Sequence, residues 1–321
     1  MKACNMVQNA VIPQVLVIAG PTATGKTALG VALAKKINGE IVSADSMQVY
    51  TQMDIGTAKP TKTEMGDIFH YMINITQPDE DYSVARYVKE ATECVDNIIN
   101  SGKQPIIVGG TGLYIDSLLK GRDFLERGDM ELRKILEKKY DEIGGELMLV
   151  ELGKIDPVSA ERLFPNDKKR IVRALEIYKH TGKLISEHDA LSKEIPPRYD
   201  AIKFALMYND RNVLYEKINK RVDNMIENGL IDEIKSLLDS GVTEKHISMQ
   251  AIGYKEIAKA LINNTDLDEA IDKVKMESRR YAKRQLTWFR RDNDIIWIYW
   301  DDKPNIKHGI DCIVEKLYET K

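Results

Sequence analysis

Over the first 120 residues, short apolar runs rich in β-branched side chains alternate with longer stretches whose apolar positions recur at helical spacing. Residues 15–19, 40–43, 71–75 and 105–108 read as buried strands. Residues 27–38 read as a helix stopped at Asn38-Gly39, a left-handed capping signal. Ser83 reads as the N-cap of a second helix that runs to Ser101 and ends before Gly102. Strand and helix in alternation predict an α/β fold with a parallel, doubly wound sheet. A ligand is then expected at the carboxyl ends of the strands.

The pattern changes after Gly121. Residues 129–143, 157–163 and 167–182 are charged helical segments, broken at Gly144-Gly145, Asp156-Pro157 and Pro165-Asn166, and Pro196-Pro197 closes the region. Residues 201–208 (AIKFALMY) then read as a strand returning to the sheet. The expected organisation is a core of 11–120 and 200–318, interrupted by a helical insertion domain at 121–199. In the returning half, Leu214, Ile218, Val222 and Met225 form an apolar stripe, with Lys217 and Arg221 beside it one turn apart. Residues 267–290 read as a long helix with Leu267, Ile271, Val274, Tyr281 and Trp288 on or near one face. Arg279, Arg280, Lys283, Arg284, Arg290 and Arg291 crowd its second half. Residues 295–299 read as a last strand before a terminal helix.

Composition narrows the classes. Of 321 residues 43% are apolar and 30% charged, enough for a sizeable core and for a charged surface. The net charge of −3 gives no global basic field, so any nucleic-acid surface must be local. Cys4, Cys94 and Cys312 lie far apart with no metal-ligand spacing, which predicts reduced thiols in a cytoplasm. The N-terminal apolar run suits a first strand better than a signal peptide, and no run reaches the ~18 apolar residues of a membrane span.

The stretch richest in chemistry is Gly20-Pro21-Thr22-Ala23-Thr24-Gly25-Lys26-Thr27, at the end of the first strand and opening a helix. It satisfies G-x-x-x-x-G-K-[ST] in full. Glycines let backbone N–H groups curl round phosphate oxygens, and the helix aims its positive end at them. Lys26 is expected on the phosphates and Thr27 on a magnesium ion. Most loops of this pattern serve ATP or GTP, so nucleotide binding is the first expectation. Asp45, at the end of the second strand, faces the same loop by topology. A lone Asp there serves equally well as a cap of its turn, and the residues alone leave both readings open. Gly109-Gly110-Thr111-Gly112 is either a second oxyanion cradle or a tight strand-to-helix turn. His70, Tyr281 and Trp288 are expected as packing residues, and Arg221 has the alternative of a solvated helix charge. Lys168-Lys169-Arg170-Ile171-Val172-Arg173 and the basic end of the long helix supply two local basic surfaces, suited to a polyanion.

Taken together, GPTATGKT (20–27), ADSMQVY (44–50), MDIGTAKP (53–60), PIIVGGTGLY (105–114), NDKKRIVRALEIYKHTGK (166–183), AIGYKE (251–256) and YAKRQLTWFR (281–290) resemble the bacterial tRNA dimethylallyltransferases, over nearly the whole chain. The resemblance implies a P-loop NTPase-like core and transfer of a dimethylallyl group from its diphosphate to the exocyclic amine of the adenine 3′ of the anticodon. It implies a base at Asp45 and contacts from Thr111 and Arg221 to the leaving oxygen and phosphates. It further implies tRNA contacts at Asp45, Ser46, Met47, Gln48 and Thr111, with Lys169, Arg170, Ile171, Val172, Arg173, Lys283 and Arg284 as candidates on the basic surfaces. Magnesium, held at Thr27, is the implied cofactor; tRNA and dimethylallyl diphosphate are the implied partners of a cytoplasmic monomer. The chain departs from the family at Thr24, where Ser is usual, and at Phe69-His70-Tyr71-Met72-Ile73-Asn74, where Pro-His-His-Leu/Met-Ile-Asp is usual. Transfer to free adenylate and a P-loop nucleotide kinase are the competing readings.

Overall fold

The computed structural model describes residues 14–121 and 129–319. Residues 11–13 of the expected core and Cys4 lie outside them. The chain divides into two compact units, with boundaries between Leu119 and Lys120 and between Pro197 and Arg198.

The first unit begins with β1 (Gln14–Ala19), α1 (Lys26–Ile37), β2 (Gly39–Ser43), α2 (Lys62–Met65), β3 (His70–Tyr71), α3 (Val84–Asn100), β4 (Gln104–Val108) and α4 (Gly112–Lys120). The second unit holds α5 (Met130–Ile143), α6 (Gly145–Ile155), α7 (Pro157–Glu161), α8 (Lys168–Thr181) and α9 (Ile185–Glu194). The chain then completes the first unit with β5 (Asp200–Tyr208), α10 (Arg211–Glu227), α11 (Leu230–Asp239), α12 (Tyr254–Asn263), α13 (Leu267–Phe289), β6 (Ile295–Trp300) and α14 (Ile306–Glu319).

All strand pairs are parallel, in the order β3-β2-β4-β1-β5-β6. Val15 to Ala19 are at most 1% exposed, because β1 lies inside the sheet with helices on its faces; hence its unbroken apolar run. Leu16, Ile18, Ile41, Ile106, Phe204 and Ile298 join Leu29 and Leu33 of α1 and Leu214 and Ile218 of α10 in one core. The helix ends follow the signals in the sequence. Asn38 takes φ 54° and donates its N–H to the Ala34 carbonyl, and the Ser83 hydroxyl accepts from Arg86 N. Among the described residues no helix is long and apolar enough to cross a membrane.

Two expectations change. The third strand covers His70–Tyr71 and stops short of 75, because Met72 (φ 64°) and Asn74 (φ 55°) enter left-handed backbone, which breaks the extended run. In the second unit, α6 and α9 are helices that the segment pattern did not single out. That unit has a separate core built on Leu136, Met148, Leu152, Ile171, Val172 and Leu175.

Candidate active site

At the carboxyl ends of the strands in the first unit lies a cavity of about 580 Å³. Thr22 to Ala28, Asp45 to Gln48, Gly56 to Ala58, Gly109, Gly110, Arg221, Tyr281, Arg284 and Gln285 are on its wall. A single space thus gathers the phosphate loop, the end of β2, the end of β4, and faces of α10 and α13.

The loop between β1 and α1 is bent by left-handed backbone at Ala23 (φ 64°) and Gly25 (φ 82°). Gly20 (φ 133°) passes so close to β5 that a Cβ would stand 2.7 Å from the Leu206 carbonyl oxygen; only glycine fits. The fully buried Thr24 hydroxyl donates to Pro21 O at 2.8 Å, so this side chain shapes the loop. Tyr208 Oη donates to Ala23 O at 3.3 Å, and Trp300 Nε1 to Thr24 O at 3.0 Å. Lys26 Nζ donates to Pro21 O at 2.6 Å. Gly20 and Pro21 themselves are off the cavity wall, whereas the other six loop residues are on it.

Burial and the nearby Arg221 guanidinium lower the Lys26 ammonium from its usual 10.5 to about 7, with Asp45 opposing them. Burial likewise lowers Arg221, again against the pull of Asp45 and Glu64. Lys26 and Arg221 thus share the cavity with the Asp45 carboxylate, and Glu64 and Arg284 also stand on its wall.

Asp45 Oδ1 accepts from Met47 N at 2.9 Å and Gln48 N at 3.4 Å. The capping role that the sequence left open is real, and the carboxylate also lines the cavity. Thr111 is off the wall; its Oγ1 accepts from Ser46 N at 3.2 Å and ties the β4 turn to the β2 turn. Tyr281, expected as packing, lines the cavity instead; its hydroxyl meets the Thr111 and Gln285 side chains, and burial raises it to about 12. Trp288 does pack, with Nε1 donating to Asp116 Oδ2 at 3.0 Å. His70 Nδ1 lies 2.9 Å from Ile68 O.

The basic residues sort by burial. Lys169 and Arg170 on α8 are exposed. Ile171 and Val172 are 0% and 2% exposed within the core of the second unit, so their expectation as tRNA contacts is withdrawn: an amphipathic helix turns these two positions inward. Arg173 pairs at 3.2 Å with the buried Glu176, which Arg133 also holds at 2.9 Å. Lys283 and Arg284 are exposed on α13. Arg284 stands 5.6 Å over the Tyr281 ring.

Three site residues escaped the sequence reading. Gln285 accepts from Thr22 N at 3.1 Å and donates to Gly110 O at 2.9 Å, clipping the phosphate loop to the β4 turn. The Lys59 ammonium donates to Tyr50 O, Asp54 Oδ1 and Asn74 Oδ1. Glu233 on α11 binds the backbone of residues 54–56. Gln285 and Lys59 sit inside stretches quoted for the resemblance, which was their available signal. Glu233 had none.

Fold and site together define a P-loop-like α/β protein whose one cavity gathers the phosphate loop, Lys26, Arg221 and Asp45. The chain belongs to the IPP transferase family, whose sequence profile matches residues 48–292. It is 47% identical, over 95% of its length and 97% of the relative's, to a tRNA dimethylallyltransferase of Thermoanaerobacter sp. (strain X514). It is 49% identical over the same shares to the tRNA dimethylallyltransferase of Caldanaerobacter subterraneus subsp. tengcongensis. Among solved structures it resembles a tRNA isopentenylpyrophosphate transferase from Bacillus halodurans, with 43% identity, TM-score 0.71, and 95% and 97% of the two chains covered. It also resembles a eukaryotic dimethylallyltransferase acting on tRNA, with 31% identity, TM-score 0.80, and 96% and 80% covered.

Proposed function

We propose that this chain transfers the dimethylallyl group of dimethylallyl diphosphate to the exocyclic amine of the adenine 3′ of the anticodon in tRNA, releasing diphosphate. The observation that carries the reading is the cavity in which Asp45 stands with Lys26, Arg221 and the phosphate loop. Membership of the family and the relatives' names support it.

In this reaction the bond between the allylic carbon and the diphosphate oxygen breaks, and the adenine nitrogen bonds to that carbon. Loop N–H groups, Lys26 and Arg221 offset the charge that grows on the departing oxygens, which is commonly the largest catalytic contribution. The amine is a weak nucleophile because its lone pair is delocalised into the ring. Asp45 takes its proton as the C–N bond forms, a step worth roughly 10²- to 10⁴-fold. Thr111 holds the turn that carries Asp45 and acts through Ser46.

The donor set fits a magnesium ion that arrives with the diphosphate. Thr27 offers a hydroxyl on the cavity wall, and among the described residues no cluster of His, Cys, Asp and Glu suits a resident metal. When bound, magnesium supplies further neutralisation of the leaving diphosphate. Ser46, Met47 and Gln48 are the assigned neighbours of the extruded base. Lys169, Arg170, Lys283 and Arg284 are the assigned phosphate contacts of the anticodon stem-loop, which gives the helical unit its role. The reading assigns the chain to the cytoplasm and to a monomer, which size-exclusion chromatography with light scattering tests.

The reaction itself is tested by incubating the protein with labelled dimethylallyl diphosphate and either unmodified tRNA or AMP. Label in tRNA alone is expected. Label in AMP alone would replace the reading with transfer to free nucleotide.

A further inference from the structure

The segment between Met53 and Lys59 forms part of the cavity wall through Gly56, Thr57 and Ala58, yet belongs to no regular element. Its backbone N–H groups converge on one side chain from a distant helix. Asp54 N and Ile55 N donate to Glu233 Oε2 at 2.8 Å each, and Gly56 N donates to Oε1 at 3.2 Å. Tyr254 Oη completes the carboxylate with a bond of 2.5 Å to Oε1. Hydrogen bonds to an ionised acceptor are the strong kind, and here four reach one carboxylate.

The same loop is gripped from its other side. Gln48 Nε2 donates to Thr57 O at 3.4 Å and Ala58 O at 3.3 Å, while Gln48 Oε1 accepts from Ser43 Oγ at 3.1 Å. Gly56 lies so close to α12 that a Cβ there would stand 2.4 Å from the Tyr254 ring. Gln52 (φ 61°) and Ala58 (φ 44°) hold left-handed backbone without being glycine. Such positions persist when the surroundings over-determine them.

We propose that Glu233 is a positioning residue for the acceptor side of the reaction: its carboxylate fixes the 54–56 backbone, and the loop so fixed sets the Gln48 side chain beside the catalytic Asp45. This rests on the tRNA-prenylation reading. Gln48 and Asp45 share one turn, since Asp45 Oδ1 caps Gln48 N, so a displaced loop reaches the acceptor base through Gln48. The phosphate loop is braced separately by Tyr208, Trp300 and Gln285, so the donor diphosphate does not depend on Glu233.

Glu233→Gln keeps the size, removes the charge and turns an N–H₂ toward backbone donors. Amide hydrogen exchange at Asp54, Ile55 and Gly56 should accelerate at least about tenfold while the strands keep their protection. The kcat/KM for an anticodon stem-loop RNA should fall about 10- to 100-fold, the cost of a displacement on the order of 1 Å, with the KM for dimethylallyl diphosphate within about twofold of wild type. Unchanged exchange at the three amides overturns the proposal, as does a folded variant whose donor and RNA parameters fall together. Should the variant not fold, the wild-type amides still decide: slow exchange of all three is expected, and exchange at the rate of open loops overturns the clamp. A wild-type protein that prenylates no RNA refutes the reaction, whereas normal RNA kinetics of Glu233→Gln on an active parent refute the positioning role alone.

Discussion

Raising the pH above neutrality should weaken diphosphate binding through Lys26. The lowering from 10.5 to about 7 corresponds, at about 1.36 kcal/mol for each tenfold change in protonation, to about 5 kcal/mol. That is an upper bound, because the side chain also meets the solvent of the cavity. The sign follows from proton counting. Between about 7 and 10.5 the unfolded chain holds a proton on Lys26 that the folded one lacks, so the destabilising contribution is complete below about 7 and fades as pH rises toward 10.5. A diphosphate beside the amine reverses the preference by favouring the charged form. Binding should therefore take up a proton above neutrality, and affinity should fall by up to about tenfold per pH unit over that window. Calorimetric titration of inorganic diphosphate in buffers of different ionisation enthalpy reads both quantities. The ligand's own titration is common to wild type and Lys26→Met, so the difference isolates the lysine. Wild type should show the extra proton uptake and the steeper pH dependence, and the variant should bind more weakly with a flatter profile. Equal slopes and equal proton uptake in the two proteins would refute the assignment of a lowered, phosphate-facing Lys26.

Asp45→Asn keeps an Oδ1 to cap Met47 N and Gln48 N but removes the base; transfer should drop roughly 10²- to 10⁴-fold in a single-turnover assay with tRNA affinity retained, and wild-type turnover would remove Asp45 from the chemistry. Gln285→Leu strands Thr22 N–H and Gly110 O, at about 1–3 kcal/mol each; denaturant unfolding should register the loss and diphosphate affinity should fall, whereas an unchanged midpoint would mean the clip is idle. Replacing Lys169 and Arg170 by Ala should lower the slope of log K for tRNA against log salt by about 1 per phosphate contact, and an identical slope would take the helical unit's basic face out of tRNA binding.

Much of the architecture was legible because its signals are local. The buried run of β1, the caps at Asn38 and Ser83, and the phosphate-loop pattern each depend on neighbours in sequence. The third strand was misjudged where left-handed Met72 and Asn74 override a run of β-forming residues. Ile171 and Val172 were drawn into a basic surface by adjacency, although helical geometry turns them away from Lys169 and Arg170. Tertiary contacts were invisible. Glu233 meets Asp54 across 179 positions, and Gln285 meets Thr22 across 263, and no local pattern encodes either pairing. The bond from Ser46 N to the Thr111 hydroxyl, which ties the β4 turn to the Asp45 turn, likewise needs coordinates.

In the proposed reaction this phosphate loop holds a group that departs, with carbon as the atom under attack. A donor labelled with one isotope in the allyl carbon and another in the diphosphate phosphorus tests it directly. Carbon label in the RNA, with all phosphorus label recovered as intact diphosphate, is the expected result. Phosphorus label in the RNA, or its release as orthophosphate during transfer, would rule out attack at carbon and return the loop to phosphoryl chemistry.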